Sequence, residues 1–523
     1  MKRLFLLAMA GLAAFGAYSQ DIYQVAELSA TDLNGSARYV GMGGAMSALG
    51  GDMSTMASNP ASIGLFRHSD VSLTGSLVMR PGAQKTEGKQ PTFASFDQMG
   101  LVYTIPTNGK TLKFLNLGFN YHKNHDFNRL VNVSNDDLAP YNFASQTWEM
   151  ADLTNFWGGI DRSTPLAVGG YKTYLIGDDE DGNYQAYNAR SNYYRKATWG
   201  SNQAFDFNVS FNLSDQYYLG ITASAYNVNQ KSSSVYSEDL QTGEGAADGS
   251  FFTLNDTHVD GSGFDVKFGF IARPIRTSNF KVGLSITTPT YYDLRYRNDF
   301  YILGHTDTYG PHDAYAYPDY DFNVRTPWKL NLSLGNTFFN RLAVGVEYEF
   351  ADYSACSVSY DDDDRDDLGW DWGEKDRALN RQIDKFLQST HTLKAGAELM
   401  ILPQLFVRAG YNYVSPSIDG DAFLNHYINS ASVDAATSSE YLNLHAINRF
   451  ALGVGVKLGS FYADAAWTYQ RQSADFYSFF AAEDGSYASN VGDQHMSGKM
   501  NVAPKNKVSL NRAQLMLTLG YKF

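Results

Sequence analysis

The sequence predicts an all-β fold: a 14-stranded antiparallel transmembrane β-barrel with an N-terminal plug inside the lumen. Three observations predict it. Fourteen stretches alternate apolar and polar residues at period two, their connections are short and long in turn, and the last stretch ends the chain on an aromatic, Phe523. Successive side chains of a strand point to opposite faces, so each stretch has one greasy wall and one wet wall. The greasy wall carries large residues almost everywhere, while the other carries Lys, Asp, Asn, Ser and Gly. That division fits a barrel with lipid outside and a polar lumen inside.

In chain order, residues 1–19 read as a secretory signal. Lys2 and Arg3 precede a short apolar core, Leu4 to Phe15, and Ala17-Tyr18-Ser19 gives a small-x-small cleavage pattern before Gln20. Residues 20–67 do not alternate and are rich in small residues between Gly41 and Gly51. Eight strands make a barrel that side chains fill and sixteen leave a channel, so fourteen need something inside. This glycine-rich segment is the expected plug.

Residues 68–523 are the expected barrel. Its strands are 68–79, 99–106, 113–123, 204–213, 216–228, 264–273, 279–288, 327–337, 341–351, 391–400, 404–414, 449–458, 461–471 and 512–523. In the fourth, Phe205, Phe207, Val209, Phe211 and Leu213 face one way and Asp206, Asn208, Ser210 and Asn212 the other. Short connections such as Ser214-Asp215 belong on the periplasmic side, and the long ones, such as 124–203 and 352–390, outside. Two long loops carry helical spacing: Leu153, Phe156 and Trp157 with Trp148, and Leu379, Ile383, Phe386 and Leu387.

Composition agrees. The chain has 36 Tyr and 33 Phe, enough for aromatic girdles, and only 18% charged residues. A formal charge of −14 argues against nucleic-acid partners. The single cysteine, Cys356, excludes an internal disulfide and reads as a loop thiol. An exported chain without a membrane helix can cross lipid only as a closed barrel, which places it in the outer membrane among its lipid and lipopolysaccharide, as a monomer.

The chain resembles the FadL-type family of outer-membrane transporters for long-chain fatty acids and aromatic hydrocarbons. The matching pieces are Asn59-Pro60-Ala61, Thr326-Pro327-Trp328, His391 to Glu398, Arg408 to Tyr413, Gly453-Val454-Gly455 and the terminal aromatic. The resemblance implies a plugged barrel and a hydrophobic small-molecule substrate. It also implies landing on the outer loops, passage into an inner pocket and sideways exit through a break near strand 3, with no energy source. No break is legible there, where Gly118 and Asn120 are the candidates.

Among inward cations, Arg408 and Lys329 are the candidates to hold a carboxylate by a charge-assisted hydrogen bond. Inward Asp206, Asp265, Glu347, Glu349, Glu398 and Asp464 offer the alternative, a network of paired charges fixing plug to wall. Asn59, Pro60 and Ala61 are expected to seat or gate the plug, and Trp148, Phe156 and Trp157 to form the landing patch. The acidic clusters Asp178 to Asp181 and Asp361 to Asp367 lack calcium-loop spacing and read as solvated charge. No catalytic constellation, cofactor or metal site stands out. Other readings of the same fold are a docking partner of the type IX secretion shuttle kind and a nonspecific porin.

Overall fold

In the computed structural model the alternating stretches form fourteen antiparallel strands. The first seven are β1 (Asp70–Met79), β2 (Thr92–Pro106), β3 (Leu112–Asp126), β4 (Asn188–Leu213), β5 (Tyr217–Gln241), β6 (Ala247–Ala272) and β7 (Lys281–Thr287). They continue as β8 (Lys329–Phe338), β9 (Leu342–Asp352), β10 (Ser389–Leu402), β11 (Leu405–Val414), β12 (Ile447–Leu458), β13 (Phe461–Arg471) and β14 (Arg512–Lys522). β14 pairs with β1 from Asp70↔Lys522 to Met79↔Ala513, so the sheet closes on itself without a free edge. The structure describes residues 21–107, 109–138, 144–178, 182, 184–241, 247–360, 374–480 and 504–523. The signal peptide expected over 1–19 and most of both acidic clusters lie outside them.

The two walls are those of the sequence pattern. Leu515, Leu517 and Leu519 point outward and are each more than half exposed, while Asp206, Asn208, Ser210 and Asn212 face in and are buried. Among the described residues no helix is long and apolar enough to cross a membrane. Two short turns place Ser214-Asp215 and Phe339-Asn340 at φ between 52° and 58°, the left-handed geometry that matches strand twist in tight hairpins.

Above the apolar band the expectation of long loops is corrected. β4 to β6 are 25 or 26 residues long, and the segment expected as loop 289–326 holds strands Tyr291–Thr306, Gly310–Ala316 and Asp319–Arg325. Away from lipid the outer face no longer requires apolar residues, so the period-two pattern fades although backbone pairing continues. Over this rim lies a cap that includes the helices α3 (Gln146–Phe156), α4 (Pro165–Lys172) and α5 (Arg377–Phe386), two of them where helical spacing placed them. Cys356 is buried at the cap base, with Sγ 3.4 Å from Ser29 Oγ, and is not an exposed loop thiol.

Inside the barrel run α1 (Ile22–Ser29) and α2 (Ala37–Gly41), then single turns at Met53–Ala57 and Pro60–Leu65. α1 stands highest, with Ile22, Val25 and Leu28 in one apolar cluster with Leu379, Ile383, Phe423 and Phe480 of the cap. Lower down, the plug backbone rides directly on glycines of the wall. A Cβ at Gly345, Gly396 or Gly410 would collide with Ala45 O, Met42 O or Gly43 N. Close approach thus needs glycine in the wall as well as in the plug, where a Cβ at Gly43 would meet Tyr411 N.

Candidate functional site

Between plug and cap is a cavity of about 150 Å3 whose lining is charged. Arg80, Arg129, Lys329, Arg449 and Arg512 face Glu27, Asp32, Asp126 and Glu349 there. Arg449 and Arg512 converge on the Asp32 carboxylate at 3.1 and 3.3 Å, and Arg129 pairs with Glu27. Lys329 Nζ donates to Thr31 Oγ1 at 2.9 Å and to Ser29 O at 3.3 Å. Arg80 has no hydrogen bond or ion pair from its guanidinium among the described residues; it lies 6.0 Å from the Phe93 ring centroid. Arg512 Nε is also buried without a partner. A charged cavity with a spare cation suits an anionic or strongly polar group.

The wall beside this cavity is parted. β2 and β3 pair from Pro106↔Phe114 up to Gln98↔His122 and no further, leaving Thr92–Asp97 and Lys123–Asp126 without ladder bonds to each other. Each strand bulges at that level. Asp97 is skipped in the β1–β2 register and Asn124 in the β3–β4 register. A bulge bends its strand away and ends regular pairing, so paired bulges on facing strands open a slot.

Three sets of contacts close the slot. From inside, Asp32 N donates to Asn124 O at 2.8 Å, and Asn34 Nδ2 donates to Lys123 O at 3.1 Å and Asp97 Oδ1 at 3.4 Å. Across it, Lys123 Nζ donates to Ser95 Oγ at 2.6 Å, and Phe96 stacks on Tyr121 at 5.4 Å. From outside, the connection between β1 and β2 reaches over to β4. Glu87 lies 3.3 Å from Arg195 Nε, and Lys89 Nζ lies 3.8 Å from the Trp199 ring centroid. Arg195 alternates with Tyr194 and Lys196, which point into the cap, so this strap crosses the outer face.

Among solved structures, the crystal structure of a Pseudomonas aeruginosa FadL homologue is similar at a TM-score of 0.50 and 14% identity, covering 94% of this chain and 99% of that chain. The chain has the FadL fold. Also similar are the CymD monoaromatic hydrocarbon channel (TM-score 0.49, 13% identity) and the P. putida toluene transporter TodX (0.48, 12%), each over 94% of this chain and 99% of the other. No family model and no curated protein matches the sequence.

Within this FadL-fold barrel the sequence-expected residues separate. Lys329 lines the charged cavity, but Arg408 lies below it, beside a second cavity of about 180 Å3, with Nε 2.6 Å from Glu398 and Nη1 2.5 Å from Asp464. Lys267 likewise meets Asp265 at 2.9 Å, and Lys394 meets Glu349 at 3.6 Å, as a paired network requires. Asn59 Oδ1 accepts from Ala61 N at 3.0 Å and Nδ2 donates to Leu284 O at 3.3 Å, while Pro60 O accepts from Ser210 Oγ at 2.8 Å. These bonds tie the plug to β4 and β7.

Gly118 lies against Met56 of the plug, and Asn120 Oδ1 accepts from Gln98 Nε2 at 3.0 Å, both inside continuous pairing. The slot begins just above them, at Lys123. Trp148 donates to Asn188 Oδ1 at 2.8 Å, and Phe156 packs edge-on against Trp157 and Tyr427, so all three are parts of the cap. Sequence reasoning missed Arg80, Asn34, Ser95, Asp97 and Lys123.

The cap has its own buried pair. Burial pushes the Glu149 carboxyl up to about 8 and the His426 imidazole down to about 4, so the two groups, 3.7 Å apart, are both neutral near pH 6. A raised carboxyl contributes stability that is complete below its ordinary value and lost as pH climbs through 8. The lowered imidazole works oppositely, losing stability as pH falls from its ordinary value through 4. Cap stability is therefore nearly level from pH 5 to 6.5 and falls by about 1 kcal/mol from there to pH 8. Hydrogen exchange of the α3 amides, corrected for intrinsic rates, should show this loss, and Glu149→Gln should flatten it.

Proposed function

We propose that the protein is an outer-membrane channel for passive uptake of hydrophobic small molecules that carry a polar or acidic head, long-chain acids ahead of neutral aromatic hydrocarbons. The single observation that carries this reading is the slot between β2 and β3 beside a cation-lined cavity. An apolar chain gains nothing from a water-filled pore but leaves readily into a bilayer. In this reading cargo enters through the aromatic cap, its head rests among Arg80, Lys329 and Arg512, and its tail leaves through the slot once Asp32, Asn34 and the strap let go. A nonspecific porin needs continuous water. Beside the second cavity the Arg38–Glu398 pair at 2.8 Å instead binds plug to wall, and Arg408 joins Glu398 to Asp464 across the wall.

Purification in mild detergent followed by mass spectrometry of bound lipids tests the proposal. Recovery of amphipathic acids is expected. Recovery of none, together with normal fatty-acid uptake in a deletion strain, would sink it. Arg80→Ala should weaken binding of a long-chain acid roughly tenfold, the loss of one charge-assisted hydrogen bond, and leave a neutral alkane almost unchanged. Equal losses for the two ligands would remove the head-group role. Arg408→Ala should instead destabilise the barrel, by about 3 kcal/mol, because it strands the buried Asp464 carboxylate and leaves Glu398 with Arg38 alone.

A further inference from the structure

Above the apolar band, the outer flank of the extended sheet carries a strip of aromatic side chains that crosses three strands. Phe252 of β6 lies 5.9 Å from Tyr301, Tyr301 lies 4.8 Å from Tyr315, and Tyr315 lies 6.5 Å from Tyr317 with the ring planes within 9°. Tyr315 and Tyr317 are 56% and 67% exposed, high values for rings that each have a large apolar face. Beneath the strip runs a belt of ion pairs, Arg295–Asp319 at 2.8 Å and Arg297–Asp260. Charged side chains on the lipid face are destabilising, so the belt marks the limit of the bilayer and the strip stands clear of it.

Immediately next to the strip the sheet carries a conflict. Asp256 of β6 and Asp299 sit directly opposite each other, both exposed, two register positions below the Leu254↔Tyr301 pair and on the same face. Neither carboxylate has a hydrogen-bond or ion-pair partner among the described residues. Like charges facing across a ladder destabilise it. Exposed parallel rings and unpaired acceptors are two independent features, and one kind of ligand satisfies both.

We propose that this strip binds a neutral carbohydrate chain. The C–H face of a sugar ring packs on tyrosine, whose rigid amphipathic side chain gives large contact area at low entropic cost. Sugar hydroxyls donate to Asp256 and Asp299, bonds strengthened by the acceptor charge. The same carboxylates, on a chain of formal charge −14, repel anionic polysaccharide. The inference draws on the outer-membrane reading only to place the strip on the outside of the cell, and involves none of the residues assigned to uptake.

The test is affinity electrophoresis of the detergent-purified protein through gels containing dextran, galactomannan or mannan, with alginate as the anionic control. Saturable retardation by at least one neutral polymer is expected, with little by alginate. Tyr315→Ser with Tyr317→Ser should weaken it at least fivefold. Asp256→Asn with Asp299→Asn should weaken it several-fold while raising the thermal midpoint, which excludes misfolding as the cause. Fatty-acid uptake should be unchanged in both variants, so a failure here is separable from a failure of the channel reading. No retardation by any neutral polymer, equal retardation of the tyrosine variant, or stronger retardation by alginate would overturn the proposal. Binding of the strip to phosphatidylcholine vesicles would overturn it as well.

Discussion

Cross-linking position 87 to position 195 should stop delivery of cargo to the membrane while leaving cargo binding intact. The strap that carries Glu87 and Lys89 spans the slot on its outer face and is held by one ion pair and one cation–aromatic contact. Contacts of this kind, partly exposed, are worth about 1 kcal/mol each or less, so the strap opens often in the free protein. A covalent link removes that opening. Glu87→Cys with Arg195→Cys, joined by a short bis-alkylating reagent, is a clean design because Cys356 is buried. The measurement is transfer of a fluorescent long-chain acid into proteoliposome lipid, alongside its affinity in detergent. Transfer should fall at least a hundredfold with little change in affinity. Full transfer in the linked protein would show that cargo leaves by another route.

The second large effect is expected at Gly410. A strand accepts valine readily, so Gly410→Val costs the ladder little. On the inner face, however, its side chain would occupy the space of Gly43 N and the Met42 carbonyl carbon. Overpacking of this kind costs about 1–3 kcal/mol, and here the plug is the softer partner. The barrel should stay closed, with wild-type heat modifiability, while the plug is displaced. In planar bilayers the wild type should be nearly silent and the variant should conduct in discrete steps. Gly345→Val, which would meet Ala45 O, should behave alike. Silent variants of unchanged stability would mean that the plug backbone can settle elsewhere against the wall.

The strands were legible because lipid enforces a one-sided demand at every second residue, and the same demand explains where reading stopped. In β2 the outward residues Phe96 and Met99 are three positions apart instead of two, so a strict alternation begins only at residue 99. That slip is the Asp97 bulge, and it lies at the slot. The departure from pattern was thus itself the signal. Arg408 was correctly read as inward. Its neutralisation was hidden because Glu398 faces it only through the β10–β11 register, and Asp464 comes from β13. Arg80 follows directly on a strand end and resembles any loop arginine in sequence. Its lack of a partner is a property of the assembled lumen. The extended upper sheet was invisible because its two faces stop contrasting: both are polar at Ser232, Ser233 and Ser234 of β5, and both are apolar or aromatic at Phe300, Tyr301 and Ile302.

The seam between the first and last strands bears on biogenesis. It can zip only after the carboxyl-terminal strand has been synthesised, long after residues 21–67 have emerged. By then the amino-terminal coil has to be threaded indoors, with α1 lodged among the aromatic residues of the far rim. Assembly therefore resembles closing a sleeve around an object already in place. A chain whose leading segment lags behind would be trapped as an empty cylinder with its stopper outside.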